Sequence, residues 1–360
     1  MSPQDGGVPW GIVPKSVSLH LDPSNNASQA ETLMTFVRRI ALTARRGLGC
    51  TAVAIGLLAS GEAAAIDSLK ILVPAAPGGG WDQTGRALQA AMQSDSIVKK
   101  ITVDNKGGAG GTIGLAQFVS SSKGDPNTLM IGGMVMVGAI ITNKSPVNLS
   151  QVTPIARLTG EYQVVVVPGT SKIQNLKELV AQFKANPGSV AWGGGSAGGS
   201  DHILAGMIAQ AVGVEPAKVN YIAYAGGGEA QAAIMGGHVA AGISGFGEFA
   251  AQIKSGKLRA LGISADKRVP GIDIPTLKEQ GVDVEMVNWR GVFAAPGITD
   301  AQKNELIDVV GKAVKTASWQ EALKRNDWTD MYVAGDQFKT FLDADTQRID
   351  KILAGLGMKK

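Results

Sequence analysis

Three times in this chain a short apolar stretch runs into three consecutive glycines and then into a helix-like pattern: Gly78-Gly79-Gly80, Gly193-Gly194-Gly195 and Gly226-Gly227-Gly228. Such a junction can do specific chemistry. Glycine lets the backbone approach a bound group closely and adopt φ > 0. The helix start behind it offers unpaired N–H groups at the positive end of the helix dipole. Together they make an anion site that needs no basic side chain. One such junction reads most simply as a tight βα turn, but three in one chain favour binding. Ser196-Ala197 and Ser244-Gly245 read as hydroxyl donors to the same ligand.

Two other chemistries fit less well. Gly193-x-Gly195-x-x-Gly198 matches the dinucleotide fingerprint, but that site also wants an acid about 20 residues on. The next strand instead ends at Ala223-Tyr224-Ala225. Gly80, Gly85 and Arg86 have the spacing of a phosphate-binding loop, without its Lys and Ser/Thr. An exported nucleotide- or cofactor-binding α/β enzyme is therefore the alternative reading. Beyond residue 65 the chain has two histidines, His202 and His238, neither with metal spacing. His202 follows Asp201 at a helix start and is expected to cap it or line a pocket. No nucleophile elbow is backed by an acid and a His in hydrolase order. The chain is expected to be a binding protein, not an enzyme, with no cofactor and no metal.

The elements that must position these loops alternate. Apolar runs at 69–74, 101–103, 128–131, 163–167, 189–192, 219–224, 240–244 and 260–264 read as strands. Helical spacing is found at 81–93, 173–185, 201–212 and 229–235. In 173–185, Leu176, Leu179, Val180 and Phe183 share one face. After VNWRGVFAAP the remainder reads as two helices, near 300–325 and 335–355. Strands alternating with helices imply α/β layers with mainly parallel sheets.

The N-terminus differs from the rest. From Met34, MTFVRRIALTARR carries four arginines and no acid, fifteen small or apolar residues follow, and Ala63-Ala64-Ala65 closes the segment. This is the pattern of a secretory signal peptide, too short for a span of ~20 residues. Residues 34–65 are thus expected to be removed, and 1–33 are an upstream extension. The only cysteine, Cys50, lies inside the signal, so the mature chain is expected to form no disulfide. Formal charge is +4, and with 1–65 set aside it is 29 basic against 26 acidic residues. That balance, with no dense basic stripe, argues against a nucleic-acid partner.

The loop segments VPAAPGGGWDQTGRAL, VDNKGGAGGTIGLAQF, WGGGSAGGSDHILAG, NYIAYAGGGEAQAAIMGGHVAAGISGFGEF and EMVNWRGVFAAPG resemble the solute-binding receptors of tripartite tricarboxylate transporters. The resemblance spans about 66–360, and Gly79-Gly80-Trp81-Asp82 is similar to the tricarboxylate branch. It implies a two-lobed, Venus-flytrap α/β fold, with a small carboxylate such as citrate in the cleft. It also implies a periplasmic location, transporter membrane subunits as partners, and a monomer. Carried over, the ligand-binding residues are Gly79, Gly80, Trp81, Asp82, Ser196, Gly198, Gly199, Asp201, Tyr224, Gly226 and Ser244.

Asp82 beside an anion is repulsive, so it is expected to cap the first helix or orient water. Trp81 is expected to wall the pocket or pack beneath the loop. Arg86 and Arg290 are the basic candidates for further carboxylates. A branched residue at Gly79 is expected to block the backbone's approach or its φ. Lobe one is expected at 66–167 plus 290–360, and lobe two at 168–289.

Overall fold

The computed structural model describes residues 66–224 and 227–359. The extension at 1–33, the signal segment at 34–65 and Gly226 lie outside them. In chain order the elements are β1 (Ser68–Val73), α1 (Gly80–Ser94), β2 (Lys100–Asn105), α2 (Thr112–Ser121), β3 (Thr128–Gly133), α3 (Met134–Thr142) and β4 (Thr153–Pro168). Then come α4 (Leu176–Ala185), β5 (Ala191–Gly194), α5 (Ser200–Ala211), β6 (Asn220–Ala223), α6 (Gly227–Met235), β7 (Ala241–Gly245), α7 (Phe246–Lys254) and β8 (Leu258–Ile263). The chain closes with β9 (Val287–Ala294), α8 (Asp300–Ala313), α9 (Ala317–Arg325), β10 (Thr329–Ala334) and α10 (Gly335–Gly355).

The strand order is β2-β1-β3-β9-β4-β7-β5-β6, with β8 and β10 both on β4. The 16-residue β4 joins two sheets. Its first part pairs with β9 and β10, and its last part, from Gln163, pairs with β7 and β8. Among the described strands, the parallel pairs are β1–β2, β1–β3, β5–β6 and β5–β7. Every pairing of β4 and β9 is antiparallel, because both strands run back through the middle of the molecule. The α/β class and the helix-flanked sheets agree with the expectation; the sheets are mixed rather than mainly parallel, with parallel pairs outside and antiparallel pairs along β4 and β9.

The four valines of β4 show why this segment is a strand buried on both faces. Successive side chains point to opposite faces. Val165 and Val167 join the core that contains Leu176, Phe183 and Trp192, while Val164 and Val166 join a second core with Phe249, Leu258 and Ile263. Upstream, the polar residues of β4 are paired. Arg157 Nε donates to the Met331 carbonyl and Thr159 Oγ1 to the Thr329 carbonyl, both on β10. Those polar residues interrupt the apolar run, so the sequence marks only the last five or six residues of a strand three times longer.

In α1, Trp81, Gly85, Leu88 and Met92 fall on one buried face, the i, i+4, i+7, i+11 spacing of a helix packed on a sheet. A Cβ on Gly85 would lie 2.7 Å from Val73 Cγ2, so this glycine permits close packing on β1. That accounts for the second glycine of the phosphate-loop spacing. The helix expected over 300–325 is two helices. Thr316 accepts from the Trp319 N–H and caps α9 after a break at the end of α8.

The candidate ligand cleft

A cavity of about 610 Å³ opens where the carboxyl ends of β1, β2, β5 and β7 face one another across β4 and β9. One wall comprises the loops after β1 and β2, with Ala75, Gly80 and Gly107–Gly111. The opposite wall comprises the loop 195–201, Tyr224, and the turn from β7 into α7 with Ser244 and Glu248. Gln163 of β4 and Asn288 and Arg290 of β9 also line it. Ligand crevices of open α/β sheets form at such strand ends.

Five helix starts reach this cavity, and their N-caps are Gly79, Gly111, Gly133, Gly199 and Gly245. None of the five carries a side-chain capping bond. Elsewhere α4, α8 and α9 are capped by Asn175, Thr299 and Thr316. A glycine N-cap leaves first-turn N–H groups without the side-chain acceptor that normally satisfies them. At Gly111, φ is +91°, and a Cβ would lie 2.6 Å from Trp81 Cζ3, so glycine is required both by conformation and by packing.

The residues expected from the sequence divide. Gly80, Trp81, Ser196, Gly199, Asp201, Tyr224 and Ser244 line the cavity. Trp81 is buried under the Gly111 turn and also lines the cavity. Gly79, Asp82 and Gly198 do not line it, and Gly226 falls outside the described residues. Gly79 has an ordinary φ of −75°, and a Cβ there would meet only the Ala76 carbonyl at 3.7 Å. The expected conformational demand at Gly79 is therefore carried by Gly78, at φ +86°.

Asp82 lies beneath the loop. Its Oδ2 accepts from the Gly78 N–H at 2.8 Å and from Arg86 Nε at 2.9 Å, and its Oδ1 accepts from Asn105 Nδ2 at 2.9 Å. Burial works to raise its pKa, but these donors outweigh it and hold the carboxyl below its usual range. Asp82 thus fastens the glycine turn to α1, and Arg86, half-exposed and engaged with Asp82, does not reach the cavity.

Arg290 does reach it. Buried on β9, it donates from Nη2 to Glu161 Oε2 at 2.6 Å, and its Cζ stands 5.1 Å from the centre of the Trp328 ring. A Cβ on Gly80 would fall 2.8 Å from Arg290 Cζ. Glu161 also accepts from the Gly247 N–H of α7 at 3.2 Å. Burial pushes the Glu161 carboxyl up, and nearby Glu248 adds to this, against the pull of Arg290.

The loop before α5 is held by its own polar groups. Asp201 Oδ2 accepts from the Gly195 N–H at 2.7 Å, and Oδ1 accepts from Ser200 Oγ at 3.0 Å. Burial raises the Asp201 pKa to about 7, with Glu248 adding to the rise against the Gly195 N–H. His202 Nδ1 accepts from the Gly198 N–H at 3.3 Å, and its ring stacks on Tyr221 at 4.1 Å. The imidazole therefore holds the loop as an acceptor, rather than capping α5 or lining the cavity as expected, and burial lowers its pKa to about 4.

Sequence reasoning missed several cavity residues: Gly107–Gly111, Gln163, Ser200, Asn288 and Glu248. Four more glycines after β2 were a readable signal for the first group. Gln163, Asn288 and Glu248 gave none, since a polar residue inside a strand or helix pattern reads as an exposed face.

The helix-flanked α/β scaffold carries a cleft at its strand ends, where sheets of this kind bind ligands. The model of the tripartite tricarboxylate transporter family receptor matches residues 85–358. Protein BugT of Bordetella pertussis is 30% identical over 299 residues, covering 81% of this chain and 90% of BugT. A TctC solute-binding protein from Polaromonas superposes with a TM-score of 0.64 at 27% identity, covering 80% of this chain and 98% of that one. The periplasmic binding protein BugD shares the fold, with a TM-score of 0.70 at 23% identity over 81% of this chain and 98% of its own. This chain belongs to the tripartite tricarboxylate transporter receptor family, and it is a receptor rather than an enzyme.

Proposed function

We propose that this protein is exported to the periplasm by a signal peptide at 34–65 and there captures a small carboxylate, a tricarboxylate such as citrate, as a monomer. It then delivers the ligand to the membrane subunits of a tripartite tricarboxylate transporter. Lobe one is 66–167 plus 290–360 and lobe two is 168–289, and the two close on the ligand by bending at β4 and β9. The observation that carries this reading is the set of five glycine-capped helix starts around one cavity. Their N–H groups and dipoles favour an anion without an excess of basic side chains. Arg290 adds one guanidinium suited to a carboxylate.

A thermal-shift screen of the mature chain tests this. A bound tricarboxylate at about 100 times its Kd stabilises the protein by ~2.7 kcal/mol, a rise of roughly 5–10 °C. ATP and NADH are expected to give no rise. A response to either nucleotide, with every di- and tricarboxylate silent, would replace this reading with the nucleotide-binding one.

A further inference from the structure

The cavity proposed to hold an anion carries more acidic than basic side chains. Asp201 and Glu248 line it, and Arg290 is the one basic side chain among the described residues that do. Glu161 engages Arg290 Nη2. Like charges gathered in a buried site oppose one another's ionisation, and an incoming anion adds to that opposition. One of these carboxyls is placed to relieve it.

Asp201 and Ser200 are both buried in the first turn of α5, and both line the cavity. Asp201 Oδ2 is fixed as an acceptor by the Gly195 N–H at 2.7 Å. Its Oδ1 meets a hydroxyl, Ser200 Oγ, at 3.0 Å. A hydroxyl both donates and accepts, so this bond can reverse. While Asp201 is ionised, the Ser200 proton is held on Oδ1. Once Oδ1 takes a proton from solvent, Asp201 donates to Ser200 Oγ, and the Ser200 proton can turn to the cavity. A single proton thus removes one negative charge and presents one more donor at the start of α5.

The groups around Asp201 leave this role to it. Glu248 on α7 and Glu161 on β4 both act on it, and burial with their help raises its pKa to about 7. Glu248 is exposed, so water solvates its charge, and its Oε2 accepts from Ser244 Oγ at 2.8 Å. Glu161 accepts from Arg290 of β9 and from the Gly247 N–H, which both favour its charged form. Tyr221 on β6 donates to the Gly195 carbonyl at 3.0 Å, and Tyr224 follows that strand into the cavity. His202 stacks on Tyr221 and, lowered to about 4 by burial, is neutral. α3, β5 and β7 pack on α5 and carry no titratable side chain. The end of α10 meets α5 at Gly206, through Leu356. Lys218, in the turn beside α5, pairs with Glu215 at the surface.

We infer that the receptor takes up its anion together with one proton, held on Asp201, and that Ser200 is the hydroxyl this proton frees to bind the ligand. The inference rests on the carboxylate-receptor reading and adds to it a linkage to pH. A proton that strengthens anion binding is itself held more tightly once the anion is bound. Affinity is then level below about pH 7, where free Asp201 already carries the proton. It falls as pH rises further, by up to about tenfold per pH unit, until the complex also gives up the proton.

The test is calorimetric titration of the mature chain with citrate, malate and succinate from about pH 7.5 to 9, a range in which these ligands are almost fully ionised. Heats compared in HEPES and Tris at about pH 8 count the protons taken up. Wild type should take up roughly half a proton or more per ligand and lose at least about fivefold in affinity across the range. In Asp201→Asn the amide can accept from Gly195 and donate to Ser200, as the protonated acid does. That variant should take up no proton, bind equally at both ends of the range, and exceed wild type at pH 9. Ser200→Ala should bind about 10-fold more weakly than wild type at pH 7.5. Glu248→Gln should keep the proton uptake.

Equal heats in the two buffers and a flat profile in wild type would overturn the inference without any variant and leave the carboxylate receptor standing. So would an Asp201→Asn protein that keeps the wild-type slope, a Glu248→Gln protein that abolishes it, or a Ser200→Ala protein that binds as wild type does. No heat with any of the three anions would instead remove the receptor reading beneath it.

Discussion

The guanidinium of Arg290 lies directly against the α-carbon of Gly80, so a side chain of even one carbon at residue 80 would fall 2.8 Å from Arg290 Cζ. This contact joins the first glycine loop to β9. Through Glu161, which meets both Arg290 and the Gly247 N–H, it extends to the opposite wall of the cleft. Replacing Gly80 with Ala must push Arg290 off its partners. Carboxylate affinity is expected to fall by about 10–100-fold, or roughly 1.4–2.8 kcal/mol. Gly79→Ala, which meets only ordinary contacts, should bind within about twofold of wild type. Titration of the two variants side by side decides the point, and equal losses would argue against the contact.

Removing Arg290 alone leaves Glu161 buried without its cation. Arg290→Met should cost about 3–5 kcal/mol in urea unfolding at neutral pH. The double variant Arg290→Met, Glu161→Met should recover most of that stability, because both desolvation penalties disappear together. Binding should stay lost in both. A single variant as stable as wild type would show that Glu161 is neutral in the folded protein.

Asp201 and His202 make opposite contributions to the pH dependence of stability. Asp201 is raised to about 7, so between its ordinary value and 7 the folded state holds a proton that the unfolded state has released. Its contribution is full below pH ~4 and is lost as pH rises through 7. His202 is lowered to about 4, so below its ordinary value the unfolded state takes up a proton first. Its contribution is present above pH ~6.5 and is lost as pH falls towards 4. Between pH 4 and 6.5 the two slopes largely cancel. Asp201→Asn should therefore reveal stability that rises with pH in that window, by up to ~1.4 kcal/mol per pH unit. His202→Asn should reveal stability that falls. Urea midpoints measured from pH 4.5 to 8 check both, and parallel curves for all three proteins would refute the assignment.

The approach of α3 to the loop before α5 also depends on a glycine. A Cβ on Gly138 would overlap the Gly198 carbonyl oxygen, which is backbone and cannot swing aside. Gly138→Ala should hold the two walls of the cleft apart and weaken carboxylate binding at least ~10-fold, or about 1.4 kcal/mol. Small-angle scattering with saturating ligand should give a larger radius of gyration than wild type. An unchanged radius and affinity would mean that the loop shifts freely.

Export is checked most directly by intact mass. The periplasmic protein should begin near Ile66, after cleavage at Ala63-Ala64-Ala65. A mature chain that retains 1–33 would exclude the signal at Met34.

The local pattern alone determined much of this protein. Glycine runs after apolar stretches marked the strand ends and helix starts, since those properties depend only on neighbouring residues and backbone sterics. The same is true of the buried face of α4, where Leu176, Leu179 and Phe183 are all buried as their spacing requires. Gly80 and Ser196 were legible for the same reason, while Trp81 and Asp201 came only from the family resemblance; all four line the cavity. Only the tertiary structure decided which of two plausible arginines enters the cleft. Arg86 and Arg290 look alike in sequence, but Asp82, one helical turn earlier, holds Arg86 outside, while β9 carries Arg290 to Glu161, 129 residues away in the chain. It also decided that Gln163 and Asn288 line the cavity. Their roles follow from the register of β4 against β7 and β9, which pairs Gln163 with Gly245 and Glu161 with Asn288. Long-range pairing of this kind leaves no local trace, because a buried polar side chain and a solvated one are written with the same residue.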